Sequence, residues 1–459
     1  VAGLLFSASA SGELSERVLA GSFPILAPAA DRCSVLFSSG LFQGGEHPSW
    51  ASAVRRLSHR VVSGLVTGAL VFSLVGCSLS GCSVPEASST SAPSTTAVAE
   101  PVVHVGSGST VSYRTSVRIT VSNGSLASVQ VSAVDGGTKL EGTMAGDGSA
   151  WVSEAAPKPA ASYRVVATVK DAAGQLRDST LTFRVSQVPE DRRLSFSVTP
   201  DDGTTVGIGQ PIVVRFLTPV TRRKAIERVM LVDARTSTGR AVTGSWNWLS
   251  GSEVHWRPQS FWKPGTKVRL DLHIAGVQAS ATRYGRRDYS ETFTIGASHI
   301  TRVDGATHRA KVYRDGKLVH DWPSGTGKKG LETYSGTYVV LGKAPSVRMD
   351  SCSARITCDK KNPDYYDEEE HWATRITASG TFLHAASWDG QLGQANVSHG
   401  CVHLSDAAAE DFYSHAVIGD VVIVSNTGRG PQERIATRDP GLYDWNVPWS
   451  DWTAGSALA

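Results

Sequence analysis

Charge is scarce in this chain: 19% of its 459 residues are Asp, Glu, Lys or Arg, and the formal net charge is +3. No basic stripe interleaved with aromatics occurs, so the electrostatic footprint of a nucleic-acid binder is missing. Long apolar runs are missing too. The best candidate, Val61 to Val75, is shorter than the roughly 20 residues a spanning helix needs. Cysteine is sparse, at six, and each can be assigned separately. What is present is abundant Gly, Ser and Thr beside a hydrophobic share of 41%, enough for packed cores. That mix favours β-rich extracellular modules over a helical cytosolic enzyme. The length implies roughly three domains.

The N-terminal region reads as an address. Arg55, Arg56 and Arg60 precede the apolar run as a signal peptide's basic region would. Leu74-Val75-Gly76-Cys77 and Leu79-Ser80-Gly81-Cys82 both look like a bacterial lipobox, whose cysteine becomes lipidated. Cys77 directly follows the run and is preferred to Cys82, against a plain signal peptide or an uncleaved anchor. Residues 1–53 then form a doubtful leader, 54–76 the signal peptide, and translation is expected to start near Val54. Residues 77–101 read as a tether, because Ser83 to Ala99 is Ser/Thr/Pro/Ala-rich and cannot bury a core.

Period-two alternation then takes over. Ser116-Val117-Arg118-Ile119-Thr120-Val121 and Tyr163-Arg164-Val165-Val166-Ala167-Thr168-Val169 are examples, with turn signals at Asn123-Gly124 and Asp135-Gly136. Two immunoglobulin-like β-sandwiches are expected, over 102–190 and 191–296. Trp246, Trp248 and Trp256 read as core rather than as a ligand cage. From about Ser298 a third β-rich region follows, in which only Ser405 to His415 reads as a helix, capped by Ser405.

That third region carries the chemistry. It contains Ser398-His399-Gly400-Cys401-Val402-His403, with His384 and Trp388 upstream. If 399–403 is extended, His399, Cys401 and His403 share one face. Two readings compete: a thiol nucleophile with a His base, or a zinc site of three His and one Cys, with Asp389 and Asp406 available to orient the ligands. A buried structural cysteine is a third. Cys352 and Cys358, with five residues between them, suit a small loop disulfide, against two free thiols. Cys401 is then left without a partner.

With these residues, the segment from Ser298 to Thr427 resembles the catalytic domain of bacterial L,D-transpeptidases. That family carries a His, a spacer of about 14 residues and Ser/Thr-His-Gly-Cys. Here His384 is followed by thirteen residues and Ser398-His399-Gly400-Cys401. Gly325-Thr326-Gly327 and Ser335-Gly336-Thr337-Tyr338 match the family's strand pair, and Asp444-Trp445-Asn446-Val447-Pro448-Trp449 looks like the C-terminal extension of actinobacterial members. The resemblance implies a catalytic domain over 297–427 and an extension over 428–459. The fold expected is mainly β: two immunoglobulin-like sandwiches and a β-rich catalytic domain with a short helix.

The implied chemistry is a cysteine-dependent acyl transfer without metal or cofactor. His384 is the expected base for Cys401, its ring oriented by a backbone carbonyl near Ala385; His399 supports the site. The amides of Gly400 and Cys401, with Ser398 beside them, are the expected oxyanion-hole region. Val347 to Tyr366 is the expected lid, with Met349 and Tyr366 contacting substrate and a Cys352–Cys358 bridge stiffening it. Ser379, Gly380, Trp388 and His403 complete the expected substrate contacts. His403 departs from the family's Arg or Asn, and its charge is expected to vary near neutral pH. The acidic run Asp367-Glu368-Glu369-Glu370 reads as a solvated loop. The partners implied are a tetrapeptide donor stem of peptidoglycan, a diamino-acid acceptor stem, carbapenem inhibitors and, through the lipid anchor, the extracytoplasmic face of the membrane. An L,D-carboxypeptidase and a non-catalytic wall-binding lipoprotein are the rivals.

Overall fold

Alternating burial builds the first sandwich. Along Ser162–Asp171 the side chains of Tyr163, Val165, Ala167 and Val169 are buried, while Arg164, Val166 and Lys170 face solvent. A strand presenting one apolar face must pair that face with another sheet. The computed structural model, which describes residues 99–106 and 108–459, shows this arrangement twice. The leader, signal peptide, Cys77, Cys82 and nearly all of the tether lie outside the described residues. In the first sandwich two four-stranded sheets enclose Val117, Ile119, Trp151, Tyr163, Val165 and Phe183. In the second, two more four-stranded sheets enclose Trp246, Trp248, Trp256 and Trp262, so the tryptophans are core. Tyr284 of the second sandwich joins the core of the first, edge-on to Tyr113 at 5.4 Å.

The third region has nine strands: β1 (His299–Asp304), β2 (Arg309–Arg314), β3 (Lys317–Pro323), β4 (Gly336–Val339), β5 (Gly342–Asp350), β6 (Asp367–Arg375), β7 (Phe382–Ala385), β8 (Val402–Leu404) and β9 (Val421–Ser425). They form one sheet in the order β3-β2-β1-β9-β4 and another in the order β5-β6-β7-β8. Helix α1 (Asp406–His415) contributes Ala409 and Phe412 to the core, beside Leu383, Val402 and Val422, and Ser405 caps it by accepting from the Ala408 amide.

The helical content exceeds the sequence expectation. A short helix at Arg223–Glu227 lies in the second sandwich, and α2 (Gln432–Thr437), α3 (Tyr443–Asn446) and α4 (Trp449–Ala454) follow the catalytic sheets. Each has four to six residues, too few to repeat an apolar stripe, so periodicity could not announce them.

These last helices fasten the third region to the second sandwich. Asp444 on α3 accepts from His255 Nδ1 at 2.7 Å, and Glu253 accepts from His255 Nε2 at 2.8 Å. Arg257 donates to the Val447 carbonyl at 2.9 Å and packs its guanidinium 4.4 Å from the Trp452 ring and 4.8 Å from that of Trp445. Burial alone would suppress the charge of His255, but Asp444 and Glu253 outweigh it and raise its pKa to about 9. The backbones meet directly as well. Gly207 donates to the Ile418 carbonyl at 2.7 Å, and a Cβ at 207 would lie 2.2 Å from the Asp420 amide nitrogen, a contact only glycine permits.

Candidate active site

The topology of the second catalytic sheet brings distant histidines together. β7 and β8 are parallel neighbours, with His384 opposite His403. Parallel pairing needs a long crossover, here residues 386–401, and residues opposite each other in register point the same way. The two rings consequently sit edge to face, 5.0 Å apart, at the floor of a cleft of about 410 Å³.

Cys401 lies just before β8, half-buried in that cleft, and is the free cysteine among the described residues. Its Sγ is 3.9 Å from the Gly380 carbonyl. His384 is buried, and its Nδ1 donates to the Ala385 carbonyl at 2.9 Å. Nε2 is therefore the nitrogen left to take a proton. Burial disfavours the imidazolium, but the sulfur of Cys401 and the carboxylate of Glu370 overcome that and raise the pKa of His384 to about 10. A histidine that binds a proton so firmly, in the same cleft as a thiol, is placed to act as its base.

The segment 399–401 is not extended; the strand begins only at Val402. Gly400 sits at φ +124°, a conformation that side-chain-bearing residues rarely adopt, and this bend turns His399 away from His403. The Nε2 of His399 accepts from Lys328 at 3.2 Å and lies 3.6 Å from Asp364, and its ring is 4.9 Å from that of Tyr366. Burial and the Lys328 charge lower its pKa. Among the described residues no three His, Cys, Asp or Glu side chains gather as a metal-ligand set.

The oxyanion-hole expectation needs correction at two residues. The Ser398 side chain braces the bend: its Oγ donates to the Cys401 carbonyl at 2.6 Å and accepts from the Gly400 amide at 3.1 Å. The Gly400 amide is thus already engaged, and Ser398 is a buttress rather than a donor to substrate. Thr333 holds the other side, donating to the Gly400 carbonyl at 3.0 Å. The Cys401 amide makes no hydrogen bond among the described residues.

The substrate-contact candidates converge on the cleft with differences in detail. Met349, Tyr366, Trp388 and His403 all line it. Ser379 and Gly380 line it from the turn between β6 and β7 rather than from a strand, and the Ser379 amide is taken by Asp439 at 3.1 Å. His403 is not poised near neutrality as expected. Burial and the neighbouring His384 lower its pKa to about 4, although Asp389 accepts from its Nδ1 at 2.8 Å. Residues 351–366 project between β5 and β6, and Cys352 and Cys358 are disulfide-bonded there.

Residues that sequence reasoning missed complete the cleft. The acidic run is a strand rather than a loop: Asp367 to Glu370 open β6, paired to β5, and Asp367, Glu368 and Glu369 face solvent as expected while Glu370 does not. Glu370 is buried, with Oε2 3.3 Å from His384 Nδ1, and Trp388 Nε1 donates to Oε1 at 3.3 Å. The signal available was the position of the run just ahead of Trp372 and Ala373, apolar residues able to continue a strand. Arg429 and Arg434 flank the Tyr334 ring at 4.0 and 4.8 Å and also line the cleft.

Comparison with known proteins accords with this geometry. Residues 108–278 match the bacterial Ig domain family and residues 298–424 the L,D-transpeptidase catalytic domain family. L,D-transpeptidase 2 of Mycobacterium tuberculosis is 34% identical over 344 residues, which span 75% of this chain and 81% of that protein. The chain belongs to the L,D-transpeptidase family. L,D-transpeptidase 1 of the same species is 34% identical over 229 residues, 50% of this chain and 83% of that protein. Among solved structures, L,D-transpeptidase 3 of that species in complex with a faropenem-derived adduct is 34% identical, with a TM-score of 0.42, over 51% of this chain and 98% of that one. In family terms, the bacterial Ig match runs across both sandwiches, and the transpeptidase match contains His384, Ser398, His399, Gly400 and Cys401.

Proposed function

We propose that this chain is a peptidoglycan L,D-transpeptidase that forms 3→3 cross-links through a thioester on Cys401. The observation carrying this reading is a free thiol sharing one cleft with a histidine whose Nδ1 is fixed to the Ala385 carbonyl. The proton of Cys401 passes to His384 Nε2. The sulfur attacks the carbonyl carbon of the diamino acid at the third position of a tetrapeptide stem. The bond to the D-alanine nitrogen breaks, His384 returns its proton to that nitrogen, and D-alanine departs. The side-chain amine of a second stem then attacks the thioester carbonyl; its proton goes to the base, and sulfur leaves as thiolate. The energy of the broken amide is held in the thioester, so no nucleotide is consumed. The Cys401 amide supports the reading as a donor to the developing oxyanion, where one such donor is worth roughly 3–4 kcal/mol of barrier.

The same thiolate attacks the strained amide of a carbapenem, giving a stable acyl-enzyme. We also assign the chain to the outer face of the cell membrane, anchored at Cys77 or alternatively Cys82, with the two sandwiches holding the catalytic region toward the wall. Labelling with a radioactive fatty acid tests the anchor, and absence of label at both cysteines refutes it.

Incubation with purified disaccharide-tetrapeptide tests the reaction. Cross-linked dimer and free D-alanine are expected from the native chain and neither from Cys401→Ala. Tripeptide without dimer would make the enzyme a carboxypeptidase, with water as acceptor.

A further inference from the structure

Glu370 is a buried carboxylate lining the cleft that the mechanism above does not use. It stands on β6 with 6% of its surface exposed, at the wall of the cleft. Its Oε2 is 3.3 Å from His384 Nδ1, within ion-pair distance, while the Nδ1–H itself is donated to the Ala385 carbonyl at 2.9 Å. Its other oxygen accepts from Trp388 Nε1 at 3.3 Å. A buried carboxylate is costly unless paired with a charge or hydrogen-bonded. Here the partner that can supply the charge is the imidazole that receives the thiol proton. We propose that Glu370 is a positioning residue that acts through His384: its carboxylate, buried beside Nδ1, stabilises the imidazolium formed when Cys401 loses its proton.

This rests on the reading of Cys401 and His384 given above. Glu370 takes no proton; it remains a carboxylate while the proton moves from Sγ to Nε2. Its ionised form is retained because its contacts with His384 and Trp388 outweigh burial, leaving its pKa lowered. The other charged or titratable groups facing the pair are Glu368 on the same strand, His403 on β8 with its partner Asp389, Cys401 itself and Tyr366 from the lid segment. Burial and the neighbouring charge of Glu370 raise the pKa of Glu368. Glu370 lies 3.3 Å from Nδ1, and with Nδ1 committed to the Ala385 carbonyl the thiol proton goes to Nε2 across the ring. Removing its charge therefore destabilises the imidazolium more than it stabilises the thiolate, and the balance shifts toward the neutral thiol–imidazole pair.

The test is a titration of the His384 ring by NMR on isotopically labelled full-length protein, its signal identified by loss in His384→Asn. In Glu370→Gln the midpoint is expected to fall by about one pH unit or more, as loss of an adjacent opposite charge does. The alkaline limb of D-alanine release should move down with it, while Glu370→Asp retains most of the native midpoint. An unchanged midpoint in Glu370→Gln overturns the proposal. Should Glu370→Gln not fold, Glu370→Asp carries the test: a small fall in midpoint supports the role and no change overturns it. Failure of the acyl-transfer reading looks different: the native chain itself would release no D-alanine, whatever His384 titrates at.

Discussion

His255 and His403 are both buried beside carboxylates, yet they end in opposite charge states. His255 lies between Asp444 and Glu253, each accepting from one ring nitrogen, and these two raise its pKa to about 9 against burial. His403 has one carboxylate, Asp389, and a second histidine at 5.0 Å; burial and that neighbour lower its pKa to about 4. Burial disfavours the charge of both; the number and sign of the neighbours decide the outcome. The consequences differ as well. A charged histidine sealed between two domains acts as a fastener. A neutral one at an open cleft leaves Nε2 available for an uncharged hydrogen bond and keeps a second positive charge away from His384.

If the cleft serves chemistry and the junction serves cohesion, substitutions should separate them. The largest effect belongs to Cys401→Ser, which is expected to lower D-alanine release by roughly 10⁴-fold or more, with the urea midpoint unchanged. Equal loss of stability would break the comparison from the cleft side. Next is His255→Leu, which leaves Asp444 buried without its partner, while half-buried Glu253 keeps Arg215 at 2.9 Å. Removing one member of such a network costs roughly 3–5 kcal/mol, read by urea denaturation.

The pH dependence of stability sharpens the same contrast. His255 has its pKa raised above the ordinary 6.5. Its contribution is therefore complete below about pH 6.5 and is lost as pH rises through about 9, to the extent of roughly 3 kcal/mol. Urea midpoints between pH 6 and 9.5 should fall in the native chain, and this alkaline loss should shrink in His255→Leu. His403 works in the opposite sense. Its lowered pKa gives stability that is present above about pH 6.5 and lost as pH falls through about 4, and His403→Asn should remove that acid sensitivity. The smallest expected effect is reduction of Cys352–Cys358, which loosens the segment 351–366 carrying Tyr366. A rise in KM of about two- to fivefold with kcat unchanged is expected, and unchanged steady-state kinetics under mild reductant would remove the lid from the argument.

What could be read before the structure follows from the range of each signal. Tyr163, Val165, Ala167 and Val169 betray a sandwich because alternation is local, and the buried tryptophans of the second module read as core for the same reason. Ser398-His399-Gly400-Cys401 is legible because its residues are contiguous. Asp367 to Glu370 misleads for the converse reason: four acids in a row suggest solvent, and only pairing of β6 with β5 and β7 places Glu370 against His384. His399 and His403 look equivalent beside Cys401, and the backbone bend at Gly400 separates them. Nothing local to Asp444 indicates that it meets a histidine 189 residues earlier.

The amino-acid order by itself determined the β character, the succession of modules, and the presence of an activatable thiol with a histidine upstream, because those depend on neighbours along the chain. The tertiary structure alone decided which histidine faces the sulfur, which amide near Cys401 remains unengaged, and which buried groups carry charge. Those properties depend on the electric field and hydrogen-bond partners at a point in space, and that field comes from residues the chain brings together only on folding.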